Sequence, residues 1–161
     1  VAQEKNKGGK SRRENELEGY TMKQEDCIFC KIANGEIPSA TVYEDEDFRV
    51  ILDIAPAAKG HALILPKNHY SNLWELGEKE SAKVMALAAK ISKAQKEALG
   101  CDGINVLQNN GVAAGQSVFH FHMHLIPRYD NDGMDIPWKT LSYEEGEAEK
   151  FCARIQEAME A

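Results

Sequence analysis

No stretch of this chain stays apolar for the roughly 18 residues that a membrane-crossing helix needs, and the N-terminus is polar where a signal peptide would carry an apolar run. A cytoplasmic location is therefore expected. Positive charge is scarce: 19 Lys and Arg stand against 26 Asp and Glu, for a formal net charge of −7. That balance argues against a long nucleic-acid surface, because duplex binding rests on neutralising many phosphates with Lys and Arg. A small phosphorylated ligand stays compatible, since one local pocket can hold phosphate in an acidic protein. Cysteine is limited to four residues, which in a reducing compartment are thiols or metal ligands rather than a disulfide framework. The chain has no G-x-x-x-x-G-K-[ST] run, which excludes a P-loop enzyme, and no dense carboxylate set that would demand catalytic magnesium. With 161 residues, 43% of them hydrophobic and 28% charged, one globular domain with a sizeable core is expected.

What is present is concentrated between Val118 and Ile126, where three of the five histidines fall within five residues. Side chains alternate across a strand, so His120, His122 and His124 should share one face with Val118 and Ile126, while Phe119, Phe121, Met123 and Leu125 line the core face. A lone histidine is more often a satisfied surface or core side chain. Three in register on a rigid support point to chemistry.

Residues 1–21 mix Lys and Arg with Glu and carry almost nothing apolar before Leu17 and Tyr20, so this segment is expected to be a disordered extension, with Met22 a plausible alternative start. The domain should then run over residues 22–161. Glu25 to Gly35 predicts a short helix with acids in its first turn and Gly35 as its stop, placing Cys27 and Cys30 one turn apart. Strands are expected at Thr41–Tyr43, Phe48–Asp53, His61–Leu65 and Ile104–Gln108, besides the histidine strand. Ser71 to Leu99 is helical, with Val84, Leu87, Ala88, Ile91, Ala94 and Ala98 on one stripe, Gly77 separating a preliminary turn near Trp74, and Gly100 as the stop. Ser142 with Glu145 reads as a capping box for a final helix whose apolar side is Phe151, Ile155 and Met159. The class is α+β: an antiparallel sheet of about five strands packed by helices on one face, with one long central helix and shorter helices at each end.

Three histidines along a straight strand cannot hold one zinc. Residues two apart are separated by about 6.5 to 7 Å, so the outer pair spans about 13 Å, whereas each nitrogen must lie about 2.0 to 2.1 Å from the metal. At least one imidazole is left for other work. Cys27 and Cys30 have the C-x-x-C spacing of a zinc half-site, and His69 with one strand histidine could complete a four-ligand Cys2His2 set, closed and therefore structural. Two buried thiols are the plainer alternative. A free imidazole can act as a nucleophile on phosphorus, being mostly neutral near pH 7. The loop before it supplies Gly111 and Gly115, where backbone N–H groups can approach an anion, and Gln116 and Ser117 as side-chain donors.

The run from Gly115 to Ile126 resembles the motif of the histidine triad (HIT) superfamily, His-φ-His-φ-His-φ-φ with φ hydrophobic. The likeness extends from about Cys27 to Trp138 through Cys27-Ile28-Phe29-Cys30-Lys31-Ile32, Gly35-Glu36-Ile37-Pro38, Leu52-Asp53-Ile54 and Gly60-His61-Ala62-Leu63-Ile64-Leu65-Pro66-Lys67-Asn68-His69, and is greatest to the small Hint-like bacterial branch. The resemblance implies hydrolysis of nucleoside phosphoramidates or related nucleoside phosphate derivatives, purine nucleotides by analogy, through a nucleotidylated His122. It implies assisting roles for His124 and His61, contacts from Asn109, Gln116 and Ser117 to the phosphate or leaving group, Asp53 on the ribose hydroxyls, and Ile28, Phe29, Ile51 and Ile54 around the base. It makes Cys27, Cys30, His69 and His120 the ligands of a structural zinc, with no catalytic metal required. Because the third position is His124 and not glutamine, hydrolase is favoured over transferase.

Two other functions stay open on these residues: a dinucleoside polyphosphate hydrolase with the same nucleophile, and a nucleotide-binding interaction protein with incidental turnover. A hydrolase using zinc catalytically ranks below both. The resemblance also implies a homodimer with the two sheets side by side. Ala82, Ala86 and Ala89 would allow close approach of the long helix to a symmetry mate, and Trp138 is a candidate to reach the partner's site.

Overall fold

The computed structural model of the chain describes residues 23–136 and 138–160. The expected disordered extension and Met22 lie outside the described residues, as does Pro137. Five strands form one sheet: β1 (Thr41–Glu44), β2 (Phe48–Leu52), β3 (Ala62–Pro66), β4 (Gly103–Leu107) and β5 (Met123–Arg128). They lie in the order β1-β2-β3-β5-β4 and every neighbouring pair is antiparallel. Three helices accompany them: α1 (Ile28–Ala33), α2 (Glu78–Leu99) and α3 (Glu147–Glu160). No helix among the described residues is long and apolar enough to cross a membrane.

The period-two alternation of the strands gives each sheet face its own apolar set. Phe48, Val50, Ala62, Ile64, Met123 and Leu125 face α2, where Val84, Leu87, Ala88 and Ile91 complete the main core. Ile51, Leu63 and Leu65 point the other way and pack with Ala33 of α1, under the half-buried Phe29 and Ile32. Helices thus cover both faces, which corrects the expectation of one. The reason is that β2 and β3 are apolar at successive positions, as strands buried on both sides are.

The main departure is at the histidines. The strand begins at Met123 and not at Val118. Before it the chain bends away: the Phe121 N–H donates to the Tyr70 carbonyl (2.6 Å), and Phe119, expected in the core, is 49% exposed. His120 is fully buried beneath this bend.

Smaller differences follow from local chemistry. α1 starts at Ile28 with Cys27 as its N-cap, whose Sγ accepts from the Cys30 N–H, so Glu25 and Asp26 precede the helix instead of filling its first turn. The long helix ends at Gly100 in the left-handed region (φ 64°), as the sequence indicates. Its buried stripe continues from Ile91 to Gln95, while Ala94 and Ala98 are exposed. The final helix begins at Glu147, not behind Ser142. Gly146 has φ 69°, which no helix turn can include, and the Glu147 carboxylate instead accepts from the Glu144 N–H (2.9 Å).

Candidate active site and metal centre

Two groups of imidazoles sit on the α1 face of the sheet, and both draw on the segment His120–His124. In the first, Cys27 and Cys30 from the start of α1 meet His69 and His120, with all four candidate ligand atoms within 4.8 Å of one another. The Cys27 and Cys30 sulfurs each lie 3.5 Å from His120 Nδ1, and the Cys30 sulfur lies 3.4 Å from His69 Nδ1. Tetrahedral zinc with bonds of about 2.3 Å to sulfur and 2.05 Å to nitrogen needs sulfur–nitrogen edges of about 3.6 Å. His120 directs its other nitrogen, Nε2, to the Pro66 carbonyl (2.9 Å). A carbonyl only accepts, so Nε2 carries the proton and Nδ1 offers its lone pair to the sulfurs, the arrangement of a metal-ligating histidine with its backing acceptor. Burial holds His120 neutral, its pKa pushed down to about 4, and raises the Cys30 thiol, partly countered by the Gln24 N–H. A bound cation would reverse that thiol shift. The residues fit a structural Cys2His2 zinc.

In the second group the proton positions run differently. His122 Nδ1 lies 2.7 Å from the His120 carbonyl, so Nδ1 is the donor and Nε2 keeps a bare lone pair. Burial lowers the His122 pKa, so that lone pair is available at neutral pH, and the Phe29 ring packs edge-on against the imidazole at 5.0 Å. His124, on β5, is flanked by Leu63 and Leu107 in the ladder, with its ring centroid 5.0 Å from that of His122. His61, at the foot of β3, accepts the Ala57 N–H at Nδ1 (3.1 Å), which puts its proton on Nε2, and that proton is shared with His124 Nδ1 at 2.9 Å. His124 therefore presents Nε2–H. Ala57, His61 and His124 form a directed chain of donors ending at an N–H.

Asp53, His61 and His124 are close enough together to be considered as a second metal group. The Ala57 N–H argues against it. A metal on His61 Nε2 would force the ring proton onto Nδ1, where a backbone donor already points.

The other expected residues fall as follows. One oxygen of Asp53 accepts from the Ala55 N–H (2.9 Å) and the other lies 3.8 Å from His61 Nδ1, so only the second is uncommitted to the turn. Ile54 is fully exposed and Ile28, which precedes Phe29 in α1, about half, while Ile51 is buried in the cluster against which Phe29 packs. Gly115 is left-handed (φ 87°) with the Asn109 amide nitrogen 3.6 Å from where its Cβ would be. Ser117 is exposed beside it.

Gln116 departs from its expected role. Its buried amide donates to the Ser71 (2.6 Å) and Val118 (3.1 Å) carbonyls and accepts from the Gly111 N–H (2.8 Å). Both amide hydrogens are committed to bracing the loop, and the Gly111, Ala114, Gly115 and Gln116 N–H groups donate within it, so the exposed Ser117 is the candidate donor to an anion. Sequence reasoning also missed Gln95, the one polar residue on the buried stripe of α2, although its spacing from Ile91 and Ala88 marks that face.

A sequence model of the HIT domain matches residues 34–131. Protein hit of Bacillus subtilis is 49% identical over 117 residues, which is 72% of this chain and 81% of that protein. The adenosine 5'-monophosphoramidase hnt1 of Schizosaccharomyces pombe is 42% identical over 135 residues, covering 81% of this chain and 98% of the relative. Among solved structures, a zinc-bound histidine triad family protein from Mycobacterium smegmatis superposes with a TM-score of 0.66 at 36% identity, covering 83% of this chain and 97% of the other.

Proposed function

The chain belongs to the HIT domain family, and from that premise we propose that it hydrolyses nucleoside phosphoramidates, or related nucleoside monophosphate derivatives, through a covalent nucleotide on His122. The observation that carries this reading is the proton placement at His122: Nδ1 is tied to the His120 carbonyl and Nε2 is free to attack. In the first step the Nε2 lone pair forms a bond to phosphorus while the phosphorus–nitrogen bond breaks, and the departing amine takes a proton from His124 Nε2. His61 offers its Nε2 proton to His124 Nδ1 through the shared hydrogen bond, so the pair is left one proton short until the second step. In the second step water attacks phosphorus, gives its proton back to the same pair, and releases His122 and the nucleoside monophosphate. The Ser117 hydroxyl, on the loop braced by Gln116, would stabilise the phosphoryl oxygens. Phe29, Ile28 and the exposed Ile54 are the candidate apolar contacts to a purine base, and the uncommitted Asp53 oxygen is the candidate contact to the ribose.

The Cys27–Cys30–His69–His120 set is read as a structural zinc that holds the start of α1 against the segment before β5; four protein ligands leave no open position for substrate. Thiols in that role suit the reducing cytoplasm. We further propose a homodimer. β4 is an edge strand, Ala82, Ala86 and Ala89 lie exposed on α2, and Trp138 is also exposed, free to meet a second copy.

The test is steady-state turnover of an adenosine phosphoramidate against a diadenosine polyphosphate. Preference for the amidate by at least about tenfold in kcat/KM supports the reading, and the opposite preference replaces it with a polyphosphate hydrolase. Light scattering at low micromolar concentration, paired with kinetics of Trp138→Ala, addresses the dimer: a fully active monomer of about 18 kDa removes it.

A further inference from the structure

The buried face of α2 is apolar except at its last contact with the sheet, where Gln95 is only 8% exposed. Its amide Nε2 donates to two carbonyls, Gly60 at 2.8 Å and Leu125 at 3.2 Å. Gly60 immediately precedes His61, and Leu125 immediately follows His124. One side chain thus bridges the backbones that carry the two partners of the 2.9 Å imidazole hydrogen bond. The ladder itself is thin there: β3 and β5 pair only at Ala62–Leu125, Leu63–His124 and Ile64–Met123, so His61 lies just past the last pair.

The choice of residue is costly and so informative. Gln95 Oε1 is buried with no partner among the described residues, a penalty that a leucine or methionine at this position would avoid. The backbone around the bridge is also closely fitted. Gly60 has φ 87°, and a Cβ there would lie 2.4 Å from the Leu99 side chain, so the segment before His61 rests directly on the last turns of α2. The α2 face here needs the amide hydrogens, not merely a filler.

We propose that Gln95 is a positioning residue for proton delivery: by tying the Gly60 and Leu125 carbonyls together it holds His61 and His124 in register, so that the His124 N–H faces the leaving group. This rests on the reaction proposed above. It predicts that loss of Gln95 harms departure of a group that needs a proton and spares departure of one that does not.

The experiment compares wild type with Gln95→Met on two adenosine monophosphate derivatives, an alkylamine amidate and a p-nitrophenyl ester. Methionine is close in length and apolar, so the fold should persist. Displacement of the pair should lower kcat on the amidate by about 10-fold to 100-fold with KM within about twofold, and change the p-nitrophenyl ester rate by less than about threefold. Gln95→Asn, which keeps an amide too short to reach both carbonyls, should shift the ratio of the two substrates in the same direction and serves if the methionine variant does not fold. Nitrogen NMR of the two rings, read without substrate, should show the His61–His124 hydrogen bond in wild type and its loss in the variants. Equal losses on both substrates overturn the proposal. So does an intact imidazole pair in a folded Gln95 variant, whatever the activity. A wild-type protein inactive on both derivatives counts instead against the proposed reaction, and the ring signals still decide the positioning role.

Discussion

Five residues of chain, His120 to His124, feed two histidine clusters that the same imidazole chemistry has set to opposite uses. At His120 the outer nitrogen Nε2 donates to the Pro66 carbonyl, and Nδ1 is left bare among sulfurs; at His122 it is Nδ1 that donates, to the carbonyl of His120 itself, and Nε2 keeps its lone pair. In the proposed reading, which ring nitrogen finds a backbone acceptor decides between ligand and nucleophile. Burial lowers both pKa values, so both rings are neutral near pH 7 and protonation does not distinguish them. The difference lies in the partners: two cysteines and His69 surround the first ring, while Phe29 and His124 flank the second.

The largest effect should come from breaking the reactive half. His122→Ala is expected to lower turnover by at least about 10³-fold while leaving metal content near that of wild type, because the ring is not among the four candidate ligands. Retention of a substantial fraction of the rate would mean that the two clusters have been assigned the wrong way round.

Breaking the other half should do the converse. A Cys27→Ser/Cys30→Ser variant is expected to lose its zinc and about 4 kcal/mol of stability, or roughly 10 °C in melting temperature, with kcat per folded molecule little changed. Metal analysis with thermal melts checks this. Chelation that abolishes turnover in protein still folded by circular dichroism would instead make the metal catalytic.

A finer effect concerns Asp53. With one oxygen held by the Ala55 N–H, it has a single oxygen to offer a ribose. Asp53→Ala should weaken binding of a ribonucleotide by about tenfold and leave a 2',3'-dideoxy analogue nearly unaffected. Equal losses by calorimetry would reduce Asp53 to a turn residue.

The smallest effect is a pH dependence of stability. His124 is held at about 4, chiefly by burial and then by His122 and His61. Between that value and its ordinary value near 6.5 the unfolded chain binds the proton and the folded one does not. Its contribution is therefore fully present above pH 6.5 and is lost as pH falls toward 4. Melting temperature should drop through that window less steeply in His124→Gln than in wild type. Parallel curves would place the acid sensitivity in the other buried imidazoles.

Much of this was legible in the sequence, because the periodicities are strong. The strands expected at Phe48–Asp53 and His61–Leu65 lie within a residue of the observed Phe48–Leu52 and Ala62–Pro66, and the helical pattern of Ser71–Leu99 contains the observed Glu78–Leu99. The C-x-x-C spacing marked two of the four candidate ligands that the fold brings together. What failed to show was whatever depends on a partner far away in the chain. The segment before Met123 alternates as a strand should, yet it bends to meet Tyr70 and buries His120 under Pro66. Gln116 has the composition of a phosphate donor, but its hydrogens go to Ser71 and Val118. Gln95 sits at helical spacing on an apolar stripe, and only the position of Gly60 and Leu125 shows what its amide is for.

The division of labour between the two clusters is tested most directly by intact-mass and peptide mapping after rapid mixing with an adenosine phosphoramidate. The account predicts one added adenylyl group per chain, localised to His122, labile to acid and absent in His122→Ala. An adduct on His120, His124 or Ser117, or turnover with no trapped adduct at any mixing time while His122→Ala remains active, would contradict it.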